Sequence, residues 1–304
     1  MLQRFEGVYS VIPTPFTTDG AIDTDSLKRV IELFIHAGVN GLTALGVTSE
    51  TTRLNDAERN YVLEVVLNAV AGRVPVVVGT SAEGTTLCLE YSRRAEEAGA
   101  TAVMISPPRM PKLNSDAVVR HYQKIAGSIS LPIVIQDYPP VSGYAMEASL
   151  LVRIAREVPS ARAIKLEDPP TPFKTTKIRQ QSSDLAIAIL GGLGGMYLLE
   201  ELMAGANGAM TGFAYPEILL EIIRLYRVGD EQNAASLFYK HVALMRFEFQ
   251  EGIGMAIRKE MLKRRGAFAT AIVREPAPSL DPSTAKALDQ LLFTLKDEGS
   301  PYLS

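Results

Sequence analysis

Eight short apolar, β-branched runs recur along the chain, at 8–13, 42–46, 75–80, 101–106, 132–136, 162–166, 185–190 and 208–211. Continuous apolar runs of this length suit strands buried on both faces. Between them the period changes. After the first run, Leu27, Val30, Ile31, Phe34 and Ile35 follow the i, i+3, i+4 spacing of one helix face. Asp23 or Thr24 suits the start of this helix and Gly38 its end. Residues 56–71 repeat the pattern, with Gly72 as a stop. "EAGA" before the fourth run and "MAGANGA" before the eighth mark helix-to-strand junctions. Strands alternating with helices at spacings of roughly 23 to 34 residues predict an α/β fold, a (β/α)8 TIM barrel. An open doubly wound sheet is the alternative, weakened because no G-x-G-x-x-G follows the first strand. From about Leu219 the strand signal stops, and helical segments run to Gly266 and again over 283–297. The expected organisation is a barrel over 1–225 and a C-terminal helical extension, 226–304, packed on it.

Composition narrows the function. The chain has 304 residues, 47% hydrophobic and 21% charged, within the ordinary range of a soluble globular protein. A net charge of −3 gives no basic field for nucleic acid. The basic stretch Arg258, Lys259, Lys263, Arg264, Arg265 is expected to be a solvated helix face. One cysteine, Cys88, excludes an intramolecular disulfide and is expected as a buried thiol in a helix. The N-terminal MLQRFEGVYS lacks the long apolar core of a signal peptide, and no run of eighteen apolar residues occurs. A cytoplasmic protein without a membrane partner is expected. His36, His121 and His241 lie in helical patterns, none spaced i, i+4 from a second ligand, so no metal site is expected.

In a barrel of this kind the chemistry sits at the C-terminal ends of the strands. The sixth such end, "AIKLEDPP" at 163–170, places Lys165 inside an apolar run and Glu167 two residues on. Period two puts both on one strand face. An apolar interior disfavours an ammonium ion and makes the neutral amine, a nucleophile toward a carbonyl, accessible. A neighbouring carboxylate opposes that effect, so a plain ion pair is the competing reading of Lys165 and Glu167. The other ends carry Gly46-Val47-Thr48-Ser49-Glu50, Ser106-Pro107-Pro108-Arg109, Gln136-Asp137-Tyr138 and the glycine loop at 191–195.

These pieces, in this order, resemble the dihydrodipicolinate synthase / N-acetylneuraminate lyase family over nearly the full length. The shared features are "VIPTPF", the G-x-T-x-E loop (GVTSE, 46–50), the turn PPVSG (139–143), the strand-six "IK", "GANGAMTG", and a late helix followed by "REP" (274–276). The resemblance implies a class I lyase that forms a Schiff base at Lys165, needs no cofactor, takes a small-molecule 2-oxo acid such as pyruvate, and assembles as a homotetramer or dimer of dimers. It also implies that Thr48 and Ser49 hold the substrate carboxylate, through the Thr48 hydroxyl and the two backbone N–H groups, beside Val47. Backbone carbonyls near Gly192 and Met210 would line the rest of the site.

The match departs from the family at the proton relay. Gln136 stands at the usual strand-five tyrosine and Val47 at the relay threonine. The second tyrosine falls near Pro108 or Arg109, and the arginine that reads the synthase's aldehyde substrate falls on Val141. A carboxamide does not titrate near neutral pH, so Gln136 does not shuttle a proton as a phenol would. The sialate lyases keep the strand-five tyrosine and fit less well. The set "Q-D-x-P-x-x-S-G" and "K-x-E-x-P" is closer to the branch of 2-keto-3-deoxy sugar-acid dehydratases. There Glu167 is the first candidate acid/base and Asp137 the second, although alternation lets only one of Gln136 and Asp137 face inward. Arg109 is a candidate for binding a second anionic or hydroxylated group, and Glu50 for holding the GVTSE loop by accepting backbone N–H bonds. A synthase with an altered relay and a barrel that only binds a 2-oxo acid are the alternatives.

Overall fold

The computed structural model describes residues 4–303. Its eight strands are β1 Gly7–Val11, β2 Gly41–Ala44, β3 Val76–Gly79, β4 Ala102–Ile105, β5 Ile133–Asp137, β6 Ala161–Leu166, β7 Ala188–Gly191 and β8 Gly208–Thr211. All are parallel, and β8 pairs back onto β1, so the order β1 to β8 closes into a barrel. Each strand falls within or beside one of the eight apolar runs.

The helices are α1 Thr24–His36, α2 Asp56–Val70, α3 Thr85–Glu97, α4 Ser115–Ala126, α5 Pro139–Ser142, α6 Ala148–Glu157, α7 Thr171–Gln181, α8 Leu198–Met203, α9 Pro216–Arg227, α10 Glu231–Glu248, α11 Gly254–Arg264 and α12 Pro282–Asp297. Local chemistry sets their ends. Asp23 caps α1, accepting from the Ser26 amide at 3.0 Å, and Gly38 follows its end with φ 87°, a conformation glycine adopts without a Cβ clash. Asn55 and Glu58 form a reciprocal capping box at the start of α2, each bond 2.9 Å long. The expected boundary at 225 falls inside α9. α10, α11 and α12 are the C-terminal helices. No helix among the described residues is long and apolar enough to cross a membrane.

Period two along the strands sorts side chains into two layers. Tyr9, Val11, Val77, Met104, Val134, Ala163, Leu190 and Met210 fill the barrel interior. Their alternates, such as Val8, Leu42, Ile135, Ile164 and Leu166, pack outward under the helices. Cys88 is buried on α3, where desolvation pushes its thiol up to about 12, so it is an inert core residue. The inner layers end, toward the strand C-termini, in Ser106, Gln136, Lys165 and Glu167. Buried polar groups appear there because the apolar filling stops.

The basic run on α11 is not the solvated face its composition suggests. Arg258 and Lys259 are buried, and only Lys263 and Arg264 are exposed. Lys259 pairs with the buried carboxylate of Glu50, donates to the Ile272 carbonyl at 2.8 Å and stands 4.3 Å over the ring of Phe16. Arg274 stacks on the same ring at 4.4 Å. Glu50 also accepts from the Arg274 amide at 2.9 Å and from Arg53 at 2.8 Å. Glu50 therefore does accept a backbone N–H, but from the C-terminal extension, which it ties to the GVTSE loop.

Candidate active site

Register places the central pair. Gln136 on β5 lies opposite Lys165 on β6, and both point inward. Glu167, two residues past Lys165, returns to the same face, with its Oε2 3.2 Å from Lys165 Nζ. Gln136 Nε2 donates to that same oxygen at 2.9 Å, and its Oε1 accepts from Ser106 Oγ at 3.1 Å. Ser106, Gln136, Glu167 and Lys165 thus form one chain, and every member is more than nine-tenths buried. The Glu167 amide donates to the Asp137 carbonyl at 2.9 Å, which fixes the strand just past the lysine.

Glycine makes room for the carboxylate. A Cβ on Gly192 would stand 2.3 Å from Glu167 Cγ, so no larger residue fits beside the glutamate. Met210 is fully buried in the interior wall. On the far face of the same loop, Glu201 packs against Gly191 and accepts from Thr171 Oγ1 at 2.6 Å. Burial raises its carboxyl to about 8.

Asp137 does not join this group. It points to the outer face of β5, where Lys174 of α7 pairs with it at 2.5 Å and with Asp168 at 2.8 Å. Burial raises the Asp137 carboxyl to about 6, against the lowering effect of Lys174. The expectation that Asp137 is a second acid/base is corrected by its side: the choice between Gln136 and Asp137 falls to Gln136. Asp137 and Asp168 each neighbour an active-site residue in sequence, Gln136 and Glu167, so Lys174 clamps the two strand ends together from behind.

The GVTSE loop folds as a 3-10 turn, Val47–Ser49. Ser49 is consumed by that fold. Its Oγ donates to the Ile12 carbonyl at 2.5 Å and accepts from the Gly46 amide at 3.1 Å, and its own amide donates to the Gly46 carbonyl at 3.0 Å. The Ser49 N–H is therefore engaged within the turn and is not presented to a carboxylate. The first amides of such a turn have no acceptor within it, which leaves the Thr48 amide available by position. Thr48 Oγ1 is buried with no hydrogen-bond partner.

A cavity of about 250 Å³ opens beside this chain, lined by Val47, Gly79, Met104, Ser106, Arg109 and Gln136 among others. Arg109 is exposed at its rim, its Cγ 3.9 Å from where a Cβ on Gly143 would be. Arg59, which no motif singles out, also lines it, its guanidinium 4.3 Å over the ring of Tyr91. Among the described residues no three His, Cys, Asp or Glu side chains gather as a metal site.

The chain matches the dihydrodipicolinate synthetase family over residues 4–295. It belongs to that family. L-2-keto-3-deoxyarabonate dehydratase from Azospirillum brasilense is 33% identical over 303 residues, covering 95% of this chain and 96% of that protein. The 4-hydroxy-tetrahydrodipicolinate synthase of Methanothrix thermoacetophila is 30% identical over 289 residues, 94% and 96% of the two chains. Among solved structures, a dihydrodipicolinate synthase from Rhodopseudomonas palustris superposes with a TM-score of 0.89 at 33% identity, covering 95% of this chain and 97% of that one. A prophage protein of the dihydrodipicolinic acid synthase family from E. coli K12, in complex with pyruvate, gives 0.90 at 25% identity, covering 97% and 99%. The protein is thus an enzyme, a lyase or dehydratase of the Schiff-base class on a TIM barrel.

Proposed function

We propose that this family member dehydrates a 2-keto-3-deoxy sugar acid through an imine on Lys165. The observation that supports the reading is the buried triad of Lys165, Glu167 and Gln136, in which the Glu167 carboxylate sits next to the lysine and is held by Gln136, the residue at the family's tyrosine position. The Azospirillum brasilense dehydratase as a relative points the same way.

The Lys165 amine attacks the C2 carbonyl and water leaves, giving a protonated imine that draws electrons from C3. Glu167 takes a C3 proton and the enamine forms. Protonated Glu167 then returns that proton to the departing C4 hydroxyl, which leaves as water. Hydrolysis of the unsaturated imine frees Lys165. Gln136 holds Glu167 by a donor that never titrates, so the carboxyl carries the proton alone. On this reading Arg109, exposed at the cavity rim, meets the hydroxylated end of the substrate. Four such barrels assemble as a homotetramer in the cytoplasm on this reading.

A synthase with a rearranged relay is the second reading, favoured by the 4-hydroxy-tetrahydrodipicolinate synthases among the relatives. Incubation with a 2-keto-3-deoxypentonate separates the possibilities. Dehydration consumes it without releasing pyruvate, whereas aldol cleavage releases pyruvate in equal amount. Condensation of pyruvate with aspartate semialdehyde, and no loss of the sugar acid, would replace the proposal by the synthase.

A further inference from the structure

Tyr138 is the residue that follows β5. In the parallel pairing Gln136 lies opposite Lys165 and Asp137 opposite Leu166, so one further step in the same register sets Tyr138 beside Glu167. The ladder does continue that far, because the Glu167 amide donates to the Asp137 carbonyl at 2.9 Å. The Tyr138 backbone is pinned from its other side as well. Its carbonyl accepts from the Val141 amide at 3.0 Å and from the Ser142 amide at 3.2 Å, both in α5. It is not the family's strand-five tyrosine, whose position Gln136 holds.

A second cavity, of about 550 Å³, opens over this pair. Tyr138, Glu167, Asp168, Leu193, Tyr197 and Glu251 line it, among others. Ser106 and Gln136 line the first cavity, whereas Glu167 lines this one. Glu167 is already engaged by Gln136 and Lys165. Tyr138 is half-buried, and among the described residues its hydroxyl has no hydrogen-bond partner. Burial, reinforced by the carboxylates of Glu167 and Glu251, holds the phenol above the usual tyrosine range, against the lowering effect of Arg258. Near neutral pH it therefore keeps its proton and is a free donor next to the catalytic carboxylate.

We infer that the Tyr138 hydroxyl donates a hydrogen bond to the C4 oxygen of the substrate as that oxygen leaves, which makes Tyr138 a further catalytic residue that serves the elimination step alone. This rests on the dehydratase reading above. The balance of that step is unchanged. The C4–O bond breaks, its electron pair stays on the oxygen, Glu167 supplies the proton that completes water, and Tyr138 keeps its own. The phenol shares the negative charge that grows on the oxygen while the bond opens.

Two assays on the full-length enzyme and on Tyr138→Phe test it. One follows dehydration of a 2-keto-3-deoxypentonate. The other follows exchange of the pyruvate methyl protons in D2O by NMR, which needs Lys165 and Glu167 but has no C4 oxygen to expel. Phenylalanine keeps the ring and removes only the donor. The variant should lose about 100-fold in kcat for dehydration, the scale of one preorganised donor, while its pyruvate exchange stays within about threefold of wild type. Unchanged dehydration in the variant overturns the role. So does an equal fall in both assays, which would mean that Tyr138 merely packs against Glu167. The wild type separates this inference from the reading beneath it. Exchange and borohydride trapping without dehydration would keep the imine and reject the Tyr138 role together with the dehydratase. Neither exchange nor trapping would reject the imine itself, and the role with it.

Discussion

Gln136 Nε2 reaches Glu167 Oε2 at 2.9 Å, the same oxygen that faces Lys165 at 3.2 Å. One carboxylate oxygen is therefore shared between an amide that cannot titrate and the amine proposed as the nucleophile. On the proposed mechanism, the oxygen that moves the proton lies against the nitrogen that forms the imine.

Replacing that carboxylate separates the two steps. Glu167→Gln should lower kcat on the sugar acid by about 1,000-fold, within the range of a lost general acid/base. Pyruvate trapping at Lys165 should remain within about tenfold of wild type, since a carboxamide fills the same space. Steady-state assays beside trapping yields check this. Equal losses in both would make Glu167 an ion-pair partner only.

Gln136→Leu removes the donor and keeps the volume. It should cost about 10- to 100-fold in kcat, because one lone pair of a buried carboxylate loses its partner and its aim. The same assay reads the result, and unchanged kcat would show that Ser106 and Gln136 line the site without orienting it.

Much of this was legible in the sequence, for identifiable reasons. Strands buried on both faces read as short continuous apolar runs, so all eight appear, and one charge inside such a run, Lys165, is conspicuous. Which of Gln136 and Asp137 faces inward was not legible. Period two fixes that they differ, but the register against β6 decides which is which. Arg258 and Lys259 were misjudged because a basic helical run normally meets water. Their partners, Glu248 ten residues back and Glu50 in a distant loop, are set by tertiary packing alone. Lys174 likewise gives no local sign that it joins Asp137 to Asp168.

That lysine has a pH-dependent role in stability. The folded Asp137 carboxyl, at about 6, sits above its ordinary 3.8. Its ionisation thus opposes folding, and stability from this group falls as pH rises from about 4 to 6. Lys174 offsets that loss. Lys174→Met should destabilise the fold by about 3 kcal/mol at pH 8, the cost of stranding a buried charge, and by clearly less at pH 5, where Asp137 takes up a proton. Urea unfolding at the two pH values checks it, and an equal cost at both would place the effect in lost packing.

Glu201 obeys the same sign over a different window. Its folded value, about 8, lies above the ordinary 4.5, so the folded chain keeps a proton that the unfolded chain releases. Stability is lost as pH climbs from 4.5 to 8. Glu201→Gln mimics the protonated form. It should raise the melting temperature by several degrees at pH 8.5 and change it little at pH 5, and thermal scans across that range would show it.

The central claim is that Lys165 is the nucleophile. Borohydride reduction in the presence of pyruvate and of a 2-keto-3-deoxypentonate, followed by intact mass and peptide mapping, tests it most directly. The account predicts a stable adduct on Lys165 with both acids and none in Lys165→Ala. An adduct on another lysine, or none with either acid, would contradict it and leave Lys165 as the buried partner of Glu167.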